Sequence, residues 1–251
     1  MKAQHHILAF LIAAFSVYAF AAPSAALFVY GDLARIMFFH VPCAFLTMGL
    51  MLVSFWQAIK WFRTRDLKWE AHLGASLEMG AVFSVLTITT GMIFSKVQWG
   101  HFWHWDPRQT SFLLVVLIYL GAVALRGSFP DEQRRATVSA SYTMGLSIMG
   151  IFLSAVYPRI PMIKRASVHP STTILNNELD LWYKAGFYGL LVLLAFFAGY
   201  LCLMRARVSL LELQLDNEYE SGPDDRGRSA PAGVVRPVAV HKDGGGPAGE
   251  A

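Results

Sequence analysis

"LGASLEMGAVFSVLTITTGMIF", residues 73–94, is an apolar run of 22 residues broken by a single charge, Glu78. A helix of this length crosses the hydrocarbon core of a bilayer. Backbone groups in lipid must find partners within their own segment, so a helix is the form expected. Comparable runs recur along the chain, and six spans are read: roughly Ile7–Ala22, Val41–Ile59, Leu73–Phe94, Ser111–Leu125, Ala136–Val156 and Ala185–Met204. Over the whole 251 residues, 55% are apolar and only 15% charged, which is too apolar for an ordinary soluble domain. The fold class expected is therefore all-α: a polytopic integral membrane bundle of about six transmembrane helices, with an external tryptophan-rich segment.

Net charge is +4, and most cations flank the spans, so nothing here points to nucleic acid as a partner; the partner indicated is the lipid bilayer. The two cysteines, Cys43 and Cys202, fall in different spans without CxxC spacing and read as small apolar residues. The start, Met1-Lys2 followed by an apolar run and "AFAAPSAA", has the features of a cleavable signal peptide. Five further spans follow it, which favours an uncleaved first span. Residues 1–208 form the expected membrane domain. Residues 209–251 form a tail whose Gly, Pro and charge content from Ser221 onward predicts disorder, with His241 a solvated side chain.

Six spans place connections one, three and five on one membrane face. Connection one ends in "FFHVPCAF", connection three holds "QWGHFWHWDPRQTS" (residues 98–111), and connection five contains "ASVHPSTT". His40, the Trp segment and His169 are thus expected together, while His5, His6 and His72 fall on the opposite face. The even connections and the stretch after the last span, to Arg207, carry nine Lys and Arg and the odd connections seven, a small bias that places both termini in the cytoplasm.

Connection three packs three of the chain's seven tryptophans, Trp99, Trp103 and Trp105, into seven residues. An interfacial belt explains Trp56, Trp61, Trp69 and Trp182, because indoles favour the bilayer–water boundary. A belt spreads its rings over helix ends, whereas this cluster forms a shelf, with Trp99 and Trp103 at helical spacing. Asp106, Pro107 and Gln109 sit at the N-cap, N1 and N3 positions of a capping box for span four. An aromatic shelf suits a broad apolar ligand. Arg108 is the nearest cation to receive anionic groups on it, with Arg35, Arg159, Lys164 and Arg165 as more distant candidates.

Neutral imidazole is a strong ligand for iron, and two opposed histidines can fill both axial positions of a haem. His40 precedes Pro42 and His169 precedes Pro170, so the local backbone of each is restricted. His101 and His104 are competitors within the Trp segment. Glu78 is an intramembrane ionisable residue and a functional candidate on that ground, with snorkelling toward the nearby end of its span as the structural reading. Ser141 and Gly145, at small-xxx-small spacing, are expected at a helix-packing seam.

The run Trp99-Gly100-His101-Phe102-Trp103-His104-Trp105-Asp106 resembles the WGxxWxWD signature of haem-handling membrane proteins in cytochrome c maturation. The order His40, Trp segment, His169 and the "FFHVP" context are similar as well, over about residues 30–205, and the six-span layout is most similar to the CcmC family. This resemblance implies His40 and His169 as axial ligands of haem b, with Trp99, Gly100, Trp103, Trp105 and Asp106 forming the haem-presenting segment. It implies a transfer protein of the bacterial inner membrane, not an enzyme, with its site on the periplasmic face. The partners implied are a membrane-anchored haem chaperone of the CcmE type, a small CcmD-type subunit and a CcmAB-type ABC transporter. "RIPMIKRASVHP" departs from the family, which usually carries tryptophans nearer that histidine. The alternatives are a CcsA-type synthase attaching haem to CxxCH apocytochromes, whose relatives usually have more spans, and a haem transporter subunit.

Overall fold

The computed structural model describes residues 2–25, 28, 30–169 and 180–220, with the side chains of residues 2–5 and 220 excepted. Pro170, His241 and the tail from residue 221 lie outside the described residues. Met1–Leu211 form one compact unit; a second unit, Glu212–Ala251, is described only as far as residue 220.

Every regular element among the described residues is helical: α1 (Lys2–Phe20), α2 (Met37–Thr64), α3 (Leu67–Trp99), α4 (Pro107–Gly127), α5 (Glu132–Ile151), the short α6 (Pro161–Ala166) and α7 (Leu181–Glu220). Five stretches are long and apolar enough to cross a membrane: Leu33–Thr64, Leu67–Trp99, Pro107–Gly127, Glu132–Arg159 and Leu181–Tyr219. The chain is a multi-pass membrane protein. The first expected span corresponds to α1, whose apolar stretch among the described residues is His6–Phe20, shorter than these five. Its end nevertheless meets the start of α7, where Tyr18 stacks on Trp182 with ring centroids 4.6 Å apart and its hydroxyl donates to the Trp182 carbonyl.

Local chemistry sets the helix ends. Asp66 caps α3 by accepting from the Lys68 N–H, and Asp131 caps α5 by accepting from the Arg134 N–H. Between α2 and α3 the chain reverses in two residues, with Arg65 in the left-handed region at φ 57° and its guanidinium 4.4 Å above the Trp61 ring. Trp61 is fully buried in the core that α2 to α5 share, so it is a packing residue and not part of an interfacial belt; Trp56, 49% exposed, does fit one. In that core the Tyr119 hydroxyl donates to the Thr47 carbonyl at 2.7 Å, satisfying a buried polar tip. The seam of small residues on α5 is Ala136, Ala140, Thr143, Ser147 and Gly150, all buried. Ser141 and Gly145 lie on the other face, exposed, and no atom would contact a side chain added at Gly145.

At the α3 start, Glu78 does not snorkel. It is paired with Arg205 of α7 at 2.7 Å and with Arg126 of α4 at 3.7 Å. Arg126 also holds Glu70 at 2.9 Å, and Arg135 of α5 reaches the same Glu70 oxygen at 3.3 Å. Charges buried this deeply persist only when paired, and here the pairs tie four helices at the end of the bundle remote from the Trp segment.

With 33 residues, α3 is about 50 Å long, longer than a hydrocarbon core of about 30 Å. Its apolar run ends at Phe94, five residues before Trp99.

Candidate functional site

The Trp segment begins where α3 stops. Gly100 takes φ 85°, a left-handed conformation that glycine adopts without strain, and its N–H closes onto the Lys96 carbonyl. Trp99 is thus the last helical residue, and residues 101–106 cross over to α4 without regular structure. The helical spacing of Trp99 and Trp103 does not survive that break, yet both rings face the same space.

Asp106 caps α4 as expected, its Oδ1 accepting from the Arg108 N–H at 2.8 Å. Gln109 departs from the capping box. Its Oε1 accepts from the His104 N–H at 3.0 Å and its Nε2 donates to the Phe102 carbonyl at 3.4 Å, so it laces the crossing segment onto α4. Asp106 also reaches across to the loop after α6. Oδ1 accepts from the Ser167 hydroxyl at 3.1 Å, and Oδ2 accepts from the Val168 N–H at 2.7 Å. The Ser167 oxygen in turn accepts from the His169 N–H at 3.2 Å. One carboxylate therefore fixes the start of α4 and the approach to His169 together. Connection one is clamped from the same side, where Gln98 Oε1 accepts from the Tyr30 N–H and Gln98 Nε2 donates to the Tyr30 carbonyl.

These ties enclose a cavity of about 230 Å³. His40 of α2 and His169 both line it, 129 residues apart in the chain, together with Trp99, Trp103, Asp106 and Arg108. Met37, Val41, Phe45, Ile88, Met92 and Phe112 supply apolar walls, the mix of many apolar and few placed polar groups that ligand sites show. The remaining wall comes from the end of α5, where Phe152–Val156 forms a π-helical turn before the 3-10 turn Tyr157–Arg159. Ser154, Pro158 and Arg159 from this irregular stretch face the cavity; π-turns within α-helices are frequent at functional sites.

Of the four distant cations, only Arg159 reaches this cavity. Arg35 is occupied by the Ala22 carbonyl and Asp32, and Lys164 and Arg165 are exposed on α6. Gly100 and Trp105 do not line the cavity. Trp105 is 76% exposed, takes φ 54°, and meets Trp103 edge-on with ring centroids 5.9 Å apart. A bulky residue in the left-handed region is uncommon and belongs to sites where surrounding structure overrules it. His101 and His104 pair with each other at 5.4 Å and also lie off the cavity, with His104 packed against Trp99 at 6.1 Å. Trp99 is the hub of the shelf, with Phe94, His104 and His169 around its ring, the last at 6.5 Å.

His40 stands in the first turn of α2, which opens ahead of the span start expected at Val41, and its ring points across to α3. Its Nδ1 lies 3.0 Å from the Thr87 carbonyl and 3.2 Å from the Thr90 hydroxyl. Trp103 brings an indole N–H that is buried and has no hydrogen-bond partner among the described residues, which leaves a donor at the cavity wall for a bound acceptor.

Residues 1–218 match the family described as heme exporter protein C, CcmC. The chain belongs to this family. It is 35% identical over 117 residues to heme exporter protein C of Bradyrhizobium diazoefficiens, covering 45% of this chain and 43% of that one. With heme exporter protein C of Rhodobacter capsulatus it shares 33% over 150 residues, 59% of this chain and 60% of the relative. Over 197 residues it is 28% identical to heme exporter protein C of Escherichia coli strain K12, covering 73% of each. The chain spans about two fifths of the length of the Bradyrhizobium, Paracoccus and Haemophilus relatives. The cavity is lined by two imidazoles, two indoles and two guanidinium groups.

Sequence reasoning names Arg159 among four distant cations without singling it out, and it misses the contacts of His40 with Thr87 and Thr90 and the ties of Asp106 to residues 167 and 168. These arise where separate elements come alongside one another, and no local pattern records that.

Proposed function

We propose that this protein binds haem in the cavity and passes it to a membrane-anchored chaperone of the CcmE type during cytochrome c maturation, making no covalent bond itself. The observation that carries the proposal is that His40 and His169, far apart in sequence, line one cavity beside the Trp99–Trp103 wall. His40 and His169 would hold the iron of haem b as its two imidazole ligands. Trp99 and Trp103 would wall the macrocycle, while Arg108, Arg159 and the Trp103 N–H would receive its carboxylates as charge-assisted hydrogen bonds. Gly100, Trp105 and Asp106 act at one remove. Gly100 ends α3, Asp106 holds the His169 loop, and Trp105, exposed beside the site, meets the receiving partner.

A small CcmD-type subunit and a CcmAB-type ABC transporter complete the assembly, in the bacterial inner membrane with the haem site on the periplasmic face. Residues 1–208 constitute the haem-handling domain and 209–251 a cytoplasmic tail.

The test is the haem content and absorption spectrum of the purified full-length protein beside His40→Ala and His169→Ala. Each variant is expected to lose the six-coordinate low-spin spectrum. Unchanged haem content and ligation in both would overturn the axial assignment.

A further inference from the structure

His40 reaches out of α2 and rests on α3, and what it rests on decides which nitrogen it offers. Its Nδ1 is 3.0 Å from the Thr87 carbonyl oxygen. A carbonyl carries no proton, so that contact is a hydrogen bond only if Nδ1 bears one, and a neutral ring then keeps its lone pair on Nε2. The Thr90 hydroxyl, 3.2 Å from the same nitrogen, gives its own proton to the Leu86 carbonyl at 2.6 Å and so turns its lone pairs to the ring. Gly91 makes the approach possible. A Cβ there would sit 2.8 Å from His40 Cε1 and 3.3 Å from Nδ1, inside contact distance. Glycine is a poor residue for a helix interior, and here its missing side chain leaves a notch that the imidazole occupies.

Resting on the reading of His40 as a haem ligand, we infer that Thr87, Thr90 and Gly91 form a seat that fixes the ring plane and tautomer of His40 and strengthens Nε2 as a donor to ferric iron. All three are positioning residues. A ligating imidazole that donates its second N–H to a carbonyl is the stronger base and is held in one orientation. That favours ferric over ferrous iron and sets how firmly the haem is kept before it is handed on.

The test uses the full chain in detergent, with Thr90→Val, Thr90→Ser, Gly91→Ala and, as reference, His40→Ala. In the haem-free protein, nitrogen NMR of ring-labelled histidine is expected to show His40 protonated on Nδ1. After loading with ferric haem, Gly91→Ala is expected to lower ferric-haem retention roughly 10- to 100-fold and to raise the midpoint potential. Thr90→Val, nearly isosteric and free of the steric clash, is expected to raise the potential by less, and Thr90→Ser to restore it. An Nε2-protonated ring in the wild type overturns the inference. So do potentials unmoved in both Gly91→Ala and Thr90→Val while His40→Ala still loses the haem, an outcome that leaves the axial reading intact. Full haem ligation in His40→Ala overturns that reading and the seat with it.

Discussion

Replacing Asp106 by Asn removes one acceptor and leaves the shape of the side chain. In the wild type, Oδ1 serves the Arg108 N–H and the Ser167 hydroxyl, and Oδ2 serves the Val168 N–H. An amide has a single oxygen, so it cannot satisfy both sides. Two of the three bonds fall on Oδ1, which orients the amide oxygen there, keeps the α4 cap, and turns an NH2 group toward the Val168 N–H. Asn is as good an N-cap as Asp, so α4 stays in place and the loss falls on the loop leading to His169. A hydrogen bond to a charged acceptor contributes about 1.5–3 kcal/mol, and each 1.4 kcal/mol is roughly tenfold in a population. The docked state of residues 167–169 is therefore expected to fall by roughly 10- to 150-fold relative to undocked alternatives.

The assay is titration of the purified Asp106→Asn protein with ferric haem, followed by absorption and low-temperature EPR. Weaker retention and a growing five-coordinate high-spin fraction are expected, since His40 stays seated on α3 while His169 is released. Ser167→Ala, which removes the bond to Asp106 and the one accepted from the His169 N–H but leaves Val168 tied, is expected to change the spectrum in the same direction. Wild-type retention and a fully low-spin spectrum in Asp106→Asn would refute the claim that this carboxylate positions His169.

Three further perturbations separate the cations, the indoles and the remote ion pairs. Arg108→Gln and Arg159→Gln are each expected to weaken haem retention about tenfold, the value of one charge-assisted bond; haem dimethyl ester, lacking free carboxylates, is expected to bind all three proteins alike. Trp99→Ala, which removes the hub of the shelf, is expected to reduce haem loading, whereas Trp105→Ala keeps the spectrum and slows transfer to the chaperone, measured by haem appearing on the acceptor. Arg126→Met strips Glu70 and Glu78 of a shared partner at the far end of the bundle, and it is expected to cost about 3 kcal/mol, read as thermal unfolding in detergent, with no change in the spectrum of the folded fraction.

Much of this architecture is legible in the sequence because lipid leaves few options: a run such as residues 73–94 is a helix or is not in the membrane. Parity then places His40, the Trp segment and His169 at one end without any knowledge of packing. Asp106-Pro107 announces the start of α4 for an equally local reason, since capping is decided within one turn. What cannot be read is set by neighbours. Gly91 looks like any helix glycine until the His40 ring is laid on it, and Glu78 snorkels or pairs depending on where Arg205 and Arg126 arrive from distant helices. The same holds for Gln109, which fits a capping box by spacing but spends its amide on Phe102 and His104 because the crossing segment lies within its reach.

The proposed function depends on one iron being held by residues 40 and 169 together. Low-temperature EPR of the haem-loaded full chain, with His40→Gly and His169→Gly each measured with and without added imidazole, tests this directly. A low-spin bis-imidazole signal is expected in the wild type, with its loss in either variant and its return when free imidazole fills the gap. A bis-imidazole signal that persists in either variant without added imidazole would contradict shared ligation by the two histidines.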